Sequence, residues 1–460
     1  MLEAFEQPGN WWLLDDPDNV VAGVVSFEPT KGTTLELIGS FNSSPHRAMT
    51  SREPVIILGT LTDGKIVTLQ EAFSQQSTLS MRGVTTTSYF ANLMLIGAHA
   101  SSKQDFLFTS ISARFTHLDA WVNHSGFSHE DLEGSAMSIL YKPIDPIPLY
   151  ASDEFDIFAD ISYSYSFQYT PESVKIEQYS SLRVEPSGER SLEVLLEILQ
   201  KIREVISLAV VGPINMQSVV GKSNHPVPGI EFQAASNPIN VYFPQNKISS
   251  PAVIHSHSML FDLPTVEDAI QDIFSQWFSK REILGPACDL YFSTVQNPQL
   301  YLDNRFLNIA QALESYHRRT NNHTELPSEA HKERIDAILE NAPEQYRAWL
   351  KDELYFSNEL SLHVRLEEVT KTFSAFTNYF IPDVQQFIRT IKHNRNYRTH
   401  YSSSLERHSL KGELLFQLVE RMKTLLELCL LSELGFSHDN LLGFLNKRSQ
   451  HLNWVNRLSE

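Results

Sequence analysis

Short segments that alternate apolar and polar side chains dominate residues 1–185. Four of them, rich in Val, Ile, Thr and Leu, span residues 20–27, 33–38, 55–61 and 65–69. The dipeptides Pro17-Asp18, Lys31-Gly32 and Asp63-Gly64 separate these segments and predict turns. Strands spaced this closely predict an antiparallel sandwich or barrel, and we expect the sandwich-like arrangement.

The spacing of the apolar residues then becomes helical over residues 190–210. Two more β-like pieces are predicted at 239–243 and 251–254. A helical piece follows at 265–280, where Thr265 and Asp268 are placed as a capping box.

From residue 304 onward the helical period continues almost without interruption. The predicted helices cover residues 305–319, 329–341, 344–354, 361–379, 383–398 and 411–434. Pro382 and Asp383 mark the start of the fifth. We therefore expect an α+β multidomain chain. A β-rich sensor or regulatory region spans 1–299, with a sub-boundary near 185–210, and an all-α helical bundle spans 300–460.

Composition narrows the class of protein. A chain of 460 residues exceeds one ordinary core, which predicts two or three domains. The only cysteines, Cys288 and Cys429, argue against a disulfide framework and a cysteine-rich zinc site, and fit a reducing cytosol. Residues 1–10 contain no basic side chain and do not look like a signal peptide. The apolar run at 425–431 is too short and too charged to span a bilayer, so we expect a cytoplasmic protein without a membrane partner.

Charge is distributed unevenly along the chain. The formal net charge is −18, yet residues 300–460 hold 20 Lys and Arg against 21 Asp and Glu. No acidic residue lies between Asp383 and Glu406, and this stretch holds four cationic side chains. They are Arg389, Lys392, Arg395 and Arg398. A local patch of this kind still attracts phosphate, because salt confines each charge to about 10 Å.

The candidate chemistry lies in that patch. Arg395 is followed five positions later by His400. A ribonuclease that uses no metal needs a base for the ribose 2′-OH, a cation for the phosphate and a proton for the leaving oxygen, and this residue pair offers all three. Five residues on one helix place two side chains about 140° apart. A helix end between them, or a second copy across a dimer, is therefore required. The bare spacing also occurs by chance in many proteins.

A resemblance adds to this pattern. Residues 392–401 resemble the Arg-x4–6-His motif of HEPN domains, and the Arg-Asn-Tyr-x-Thr-His-Tyr form is similar to the ApeA-like branch. Residues 305–319 and 358–366 are similar to that branch as well. Trp11-Trp12, Gly23 and residues 35–41 resemble its N-terminal domain, so the likeness spans nearly the whole chain.

The resemblance implies a fold, an activity and a site. HEPN nucleases are helical, usually homodimeric, and cleave RNA without metal or cofactor to leave a 2′,3′-cyclic phosphate. Arg395 and His400 would be the catalytic pair, and Asn396 would orient them or bind phosphate. ApeA-like members act in anti-phage defence by abortive infection. We therefore expect the N-terminal region to sense a phage-derived trigger. The expected substrate is RNA, with transfer RNA a candidate by analogy with related toxins.

Six further residues are candidates for supporting roles, each with a plainer interpretation beside it. Glu314 would orient His400, with His317 and Arg318 one turn further along the helix. A solvated ion pair between Glu314 and Arg318 explains them equally well. Arg398 is expected to contact the RNA backbone. Tyr397 and Tyr401 would stack on a base, although a buried aromatic side chain is the commoner outcome.

Other motifs carry little weight, and two alternatives stay open. His255-Ser256-His257 has metal-like spacing on an expected strand but lacks a third ligand, so we expect no metal. Trp11-Trp12 would line a ligand surface or, more commonly, seal a β-core. In the first alternative, the HEPN domain is a non-catalytic module that binds a nucleotide or a protein. In the second, the β-rich region binds a carbohydrate or a peptide and the helical part only dimerises.

Overall fold

The computed structural model falls into two compact units, residues 1–275 and 276–460. It describes residues 3–41, 53–78, 85–100, 107–131, 137–167, 174–224, 238–246, 254–401, 403–407 and 409–457. The division between the two units, after residue 275, comes earlier in the chain than the expected boundary near residue 300. The helix just before residue 300 belongs to the second unit because Gly285–Gln296 packs along Leu302–Thr320. None of the described helices is both long and apolar enough to cross a bilayer.

The first unit is built mainly from antiparallel strands, as the alternating pattern predicted. Its described strands are β1 (Phe5–Leu13), β2 (Asp16–Glu28), β3 (Gly32–Ile38), β4 (Val55–Leu61), β5 (Ile66–Thr78), β6 (Thr86–Ile96), β7 (Leu107–Phe108), β8 (Ser110–Phe115), β9 (Phe127–Asp131), β10 (Met137–Tyr141), β11 (Ile147–Ala151), β12 (Phe155–Phe167), β13 (Val174–Pro186), β14 (Arg190–Ser191), β15 (Met216–Lys222) and β16 (Pro238–Tyr242). Every described pairing is antiparallel.

The first six strands form a closed barrel. They run in the order β6-β3-β2-β1-β4-β5, and β5 pairs back onto β6. The sheet then continues from β6 through β16, β15, β8, β13, β12 and β11. The antiparallel β-rich region is confirmed, and its first part is a barrel with an extended sheet rather than two stacked sheets. Closure removes the exposed edges that an open six-stranded sheet would have.

Every second side chain along the strands is apolar and fills the interior of this barrel. Val25 and Phe27 of β2, and Leu35 and Leu37 of β3, point into the core, while Glu36 between the last two is exposed. A strand turns successive side chains to opposite faces, so alternation is what a half-buried strand requires.

The turns at Lys31-Gly32 and Asp63-Gly64 are confirmed, but the turn at Pro17-Asp18 is wrong. The chain reverses at Leu14-Asp15, because Leu13 pairs directly with Asp16. A two-residue loop is the commonest hairpin connection. Pro17 is the second residue of β2, near the strand start, where a missing N–H group is tolerated.

Trp11 occupies the barrel core opposite a glycine. It is fully buried and pairs across the sheet with Gly59 of β4. A Cβ atom on Gly59 would collide with the six-membered ring of the indole. The barrel interior can therefore accommodate this tryptophan only because β4 has no side chain at that position.

The described helices of the first unit are α1 (Leu118–Val122), α2 (Leu192–Val210), α3 (Leu263–Val266) and α4 (Ile270–Arg281), the last of which continues across the unit boundary. Helix α2 confirms the prediction at 190–210. The predicted capping box at Thr265 is displaced: Asp262 is the N-cap and Thr265 is its third helical residue, with a 3₁₀ turn before α4. Strand β16 confirms the piece at 239–243, whereas residues 251–253 lie outside the described residues.

The second unit is helical, as predicted. Its described helices are α5 (Gly285–Gln296), α6 (Leu302–Thr320), α7 (Ser328–Asn341), α8 (Glu344–Glu353), α9 (Leu362–Thr372), α10 (Ser374–Thr377), α11 (Val384–His400), α12 (Ser403–Glu406), α13 (Gly412–Glu433), α14 (His438–Lys447) and α15 (Ser449–Arg457). Helix α13 is largely buried, and α6 packs against both α5 and α13.

A polar network lies beside α13. Buried Glu427 accepts a hydrogen bond from the Tyr291 hydroxyl at 2.9 Å and pairs with Arg448 and Lys423. Burial raises the pKa of nearby Glu420, but Lys423 and a hydrogen bond from His451 outweigh burial and lower that pKa to about 2. The Glu420 carboxylate therefore stays charged, and the two carboxylates hold the last helices against α13.

We expect Gly59→Ala to destabilise the first unit by about 1–3 kcal/mol, because overpacking forces the Trp11 ring to move. Urea unfolding followed by tryptophan fluorescence measures this change. Gly443→Ala is the matched control, since a Cβ atom added there would meet only open space and alanine favours a helix. Equal stability of the two variants would contradict the packing described above.

Candidate active site

Helix α11 carries the Arg-His motif and has a defined start and end. Asp383 caps its first turn by accepting a hydrogen bond from the backbone N–H of Gln386 at 2.9 Å, which confirms the predicted start. The helix continues through His400 and ends at Tyr401, whose φ of 48° is left-handed. Its apolar stripe, made by Phe387, Ile388 and Ile391, faces the bundle.

Arg398 anchors the end of this helix. Its guanidinium donates to Asp303 at 2.6 Å, to the Asn394 side chain at 2.7 Å and to the Leu410 carbonyl at 2.7 Å. It also lies over the ring of Phe306, 5.2 Å from the centroid. Arg398 is buried, and these contacts leave little of it for a substrate. The expected contact with the RNA backbone is therefore corrected: Arg398 is a structural residue.

Asn394 completes this anchor from one turn earlier. It is fully buried, and its Oδ1 accepts from both Arg398 and the backbone N–H of Leu410. Its Nδ2 donates to the Thr390 carbonyl. The chain that leaves α11 is thus tied back onto it before α13 begins. No role was predicted for Asn394, although it lies four residues before Arg398 on the same helix, a spacing that brings two side chains together.

The predicted catalytic side chains lie on the other faces of α11. Arg395 and Asn396 are half-buried and His400 is exposed. Among the described residues, no hydrogen bond or ion pair engages the Arg395 guanidinium or the His400 imidazole. The helix provides a cation and an imidazole that are both available to a ligand.

One helix does not aim both groups at one point. The expectation that a helix end separates them is wrong, because α11 includes both residues. Arg395 and His400 therefore diverge by about 140° and lie about 7.5 Å apart along the axis. The other solution considered from the sequence, a second copy of the chain, stays a prediction.

The surroundings of the pair are cationic and aromatic. Arg389, Lys392 and His393 are exposed on α11, which contains no acidic residue. Tyr401 is 68% exposed, and its ring lies 5.6 Å from that of half-buried Tyr397. This surface offers positive charge for phosphate and one accessible ring face for a base.

Glu314, His317 and Arg318 lie at the opposite end of α6. Arg398 fixes the C-terminal end of α11 to Asp303 at the start of α6. His317 is fourteen residues after Asp303, which corresponds to about 21 Å along a helix. Glu314 pairs with Arg318 at 3.7 Å, and no described contact joins it to His400. Within one chain, the structure does not bring these three residues to Arg395 and His400.

These three residues form a separate charged cluster with α9. His317 is fully buried, and its Nε2 lies 2.5 Å from Glu368, which also accepts from His323 at 2.8 Å. Arg365 donates to Nδ1 of His317 at 3.3 Å, and Glu359 pairs with Arg365 and Arg318. Arg365 and Glu368 were not predicted, because contacts between residues about fifty positions apart leave no local pattern in the sequence.

His317, His323 and Glu368 have ligand atoms within 4.8 Å of one another, a set able to hold a metal ion. Arginine can only donate, so the Nδ1 atom that faces Arg365 is an acceptor and Nε2 carries the proton. That Nε2 atom has no lone pair for a metal. The neighbouring guanidinium also replaces the carboxylate or carbonyl that usually supports a metal-binding histidine. The arrangement therefore fits a hydrogen-bonded cluster better than a metal centre.

His255 and His257 form no strand. Ser256–Ser258 is a 3₁₀ turn, and the two imidazole rings stack at 5.4 Å on the surface. The expected strand is therefore corrected. Both histidines point to solvent instead of converging on a buried ligand.

We expect Arg398→Met to lower the free energy of unfolding by about 2–4 kcal/mol, because three hydrogen bonds to a charged group are lost. Arg395→Met, the matched control on the same helix, should change it by less than about 0.5 kcal/mol. Urea unfolding followed by circular dichroism at 222 nm compares the two. Equal losses would show that Arg398 is not the anchor.

We expect the stability of the protein to depend on pH through His317. Burial lowers the pKa of this imidazole more than its hydrogen bond to Glu368 raises it. The unfolded chain, with a histidine pKa near 6.5, then binds the proton more readily, so stability falls as pH drops below about 6.5. His317→Gln should lose less stability than wild type between pH 7.5 and 5.5 in urea unfolding. The control is His438→Gln, at an exposed position, which should be as pH-sensitive as wild type. A His317→Gln variant that is as pH-sensitive as wild type would refute the expectation.

Comparison with known families agrees with this architecture. Residues 7–277 match the model of ApeA N-terminal domain 1, and residues 307–440 match that of the Apea-like HEPN domain. No curated protein and no solved structure matches the chain. The second match contains Arg395, His400 and the anchor at Arg398. The chain therefore belongs to the ApeA-like family of HEPN-domain proteins, which implies a nuclease-type role in anti-phage defence.

Proposed function

We propose that this protein is a metal-independent endoribonuclease that acts in anti-phage defence by abortive infection. One observation carries the proposal: an arginine and an imidazole, both unpaired within the described part of the chain, lie on a rigidly anchored, acid-free helix of a HEPN domain. A residue pair needed only for packing would be buried and hydrogen-bonded, as Arg398 and Asn394 are.

The chemistry follows from these two groups. The His400 imidazole takes the proton of a ribose 2′-OH, and the resulting oxygen attacks the adjacent phosphorus. The bond from phosphorus to the 5′-oxygen breaks, which leaves a 2′,3′-cyclic phosphate and a 5′-OH. That 5′-oxygen takes up a proton from water or from the imidazolium formed on His400. The Arg395 guanidinium stabilises the negative charge on the non-bridging oxygens. Because the nucleophile belongs to the RNA, the route needs no metal-bound water.

Two copies of the chain are needed to assemble one site. Arg395 and His400 point in directions about 140° apart on one continuous helix, so a single copy cannot aim both at one phosphate. A two-fold axis beside the end of α11 would place Arg395 of one copy opposite the partner's His400. Asn396, next to Arg395 and half-buried, is suited to hydrogen-bond phosphate or to orient the pair.

The N-terminal unit is proposed to sense a phage protein and to control the nuclease. Residues 1–299 hold 34 acidic against 17 basic side chains, whereas the HEPN part is nearly neutral. An acidic module repels RNA from all but the cationic surface of α11, which restrains cleavage at rest. Transfer RNA is the first substrate to test, and the protein acts in the cytoplasm in this proposal.

We expect the purified protein to cleave RNA in EDTA and to leave 2′,3′-cyclic phosphate ends. Arg395→Ala and His400→Ala should each lower the rate by at least about a hundredfold, since each removes a group that acts in the transition state. Total RNA from infected and uninfected cells, with a lysate of infected cells as a source of activator, is the substrate. RNA that is bound but never cut would favour the non-catalytic binding module.

Mixing the two inactive variants tests whether the site is shared. A mixed dimer retains one Arg395 and the partner's His400, so equal mixtures should regain up to about a quarter of wild-type activity. Mixing either variant with itself gives the baseline. Cleavage that persists in each single variant would locate the chemistry elsewhere.

A further inference from the structure

We propose that helices α7 and α8, here called the arm (Ser328–Asn341 and Glu344–Glu353), bind a second copy of this chain and hold the dimer together. The inference rests on the two-copy site proposed above. It names the surface that joins the copies.

No core formed by the described residues covers the arm. Neither α7 nor α8 contains a buried residue, although they span 14 and 10 residues. Trp349 is 59% exposed and Tyr346 is 50% exposed, one turn apart on α8. Helices of this length are marginal in water without tertiary packing. An exposed tryptophan and tyrosine on one face are typical of a surface that a partner covers.

The base of the arm is fixed, so the arm is held in place. Asn358 bonds Leu326 twice, accepting from its backbone N–H at 2.9 Å and donating to its carbonyl at 3.0 Å. His331 reaches the Ser357 hydroxyl at 2.9 Å. The cluster of Arg318, Glu359 and Arg365 described above lies next to these contacts. The two ends of the arm are therefore joined to each other and to α6 and α9 at a rigid base.

The exposed aromatic face would suit either RNA or a second copy of this chain, and charge decides between these two partners. The two helices carry seven acidic and four basic side chains, so the arm repels the phosphates of RNA. Helix α11 carries three cationic side chains besides the buried Arg398, and no acidic one. The arm thus complements the exposed cations Arg389 and Lys392 in the first half of α11 of another copy, and Glu353, one turn after Trp349, adds a carboxylate to the aromatic face. A second copy is the occupant that these charges favour.

Two-fold symmetry doubles this contact. In a closed dimer each arm meets the other copy, so one substitution removes two contacts at once. The arm follows the C-terminal end of α6, whereas Arg398 fixes the end of α11 to Asp303 at the N-terminal end of α6.

The test is the oligomeric state of the full-length protein. Wild type should sediment as a dimer at micromolar concentration, and Trp349→Glu should raise the dimer dissociation constant by about a hundredfold, because it places charge in a desolvated contact. The melting temperature at high dilution should stay the same, since Trp349 packs little within its own chain. Ile283→Glu is the matched control: that side chain is 53% exposed in the same unit, outside the arm, and the variant should dimerise as wild type does.

The outcomes separate this inference from the proposed nuclease. A wild type that stays monomeric, or a Trp349→Glu variant with unchanged dimer affinity, would overturn the role of the arm. If Trp349→Glu loses RNA binding while it still dimerises, the arm is an RNA platform and the inference fails. If the variant becomes monomeric yet cleaves RNA at the wild-type rate, the arm joins the copies and the shared site is refuted instead. His400→Ala should remain dimeric, which tests the arm independently of cleavage.

Discussion

The buried guanidinium of Arg398 is the interaction on which the candidate site depends. It ties α11 to Asp303 at the start of α6 and, with Asn394, to the backbone at Leu410 before α13. Removing a guanidinium from water is costly, and only nearly complete hydrogen bonding offsets that cost. Arg395 and His400 are three and two residues away on the same helix, so their positions are set by this one anchor.

Local patterns predicted the elements well and their long-range pairing poorly. Alternation predicted β2 to β5 and the helical period predicted α6 to α9, α11 and α13, because each depends on neighbours in the sequence. The barrel closes through pairing of β5 with β6, and the register of that pairing is not visible in either strand alone. A two-residue hairpin moved the first turn away from Pro17, although proline is a strong turn signal. In both cases, the strand with which a segment pairs determined the structure more than the composition of the segment itself.

The candidate site shows the same contrast between local patterns, which the sequence predicts, and long-range contacts, which it does not. The motif lies on α11, and Asp383 was correctly predicted as the start of that helix. Arg398 looked like another surface cation because the sequence does not show Asp303, 95 residues earlier, as its partner. Glu314, His317 and Arg318 shared a helix with that partner but lie at its other end. A helix brings residues three and four apart together, whereas residues ten or more apart on it belong to different surroundings.

The continuity of α11 through His400 has a consequence for the cell that makes this protein. When two copies must meet to build one site, the number of working sites at low abundance rises with the square of the amount of protein. Halving the dose then lowers activity about fourfold. A defence protein built in this way stays harmless at a low basal level of expression. If the protein acts by abortive infection as proposed, a modest rise in abundance, or any factor that gathers copies together, would be enough to make it lethal to the infected host.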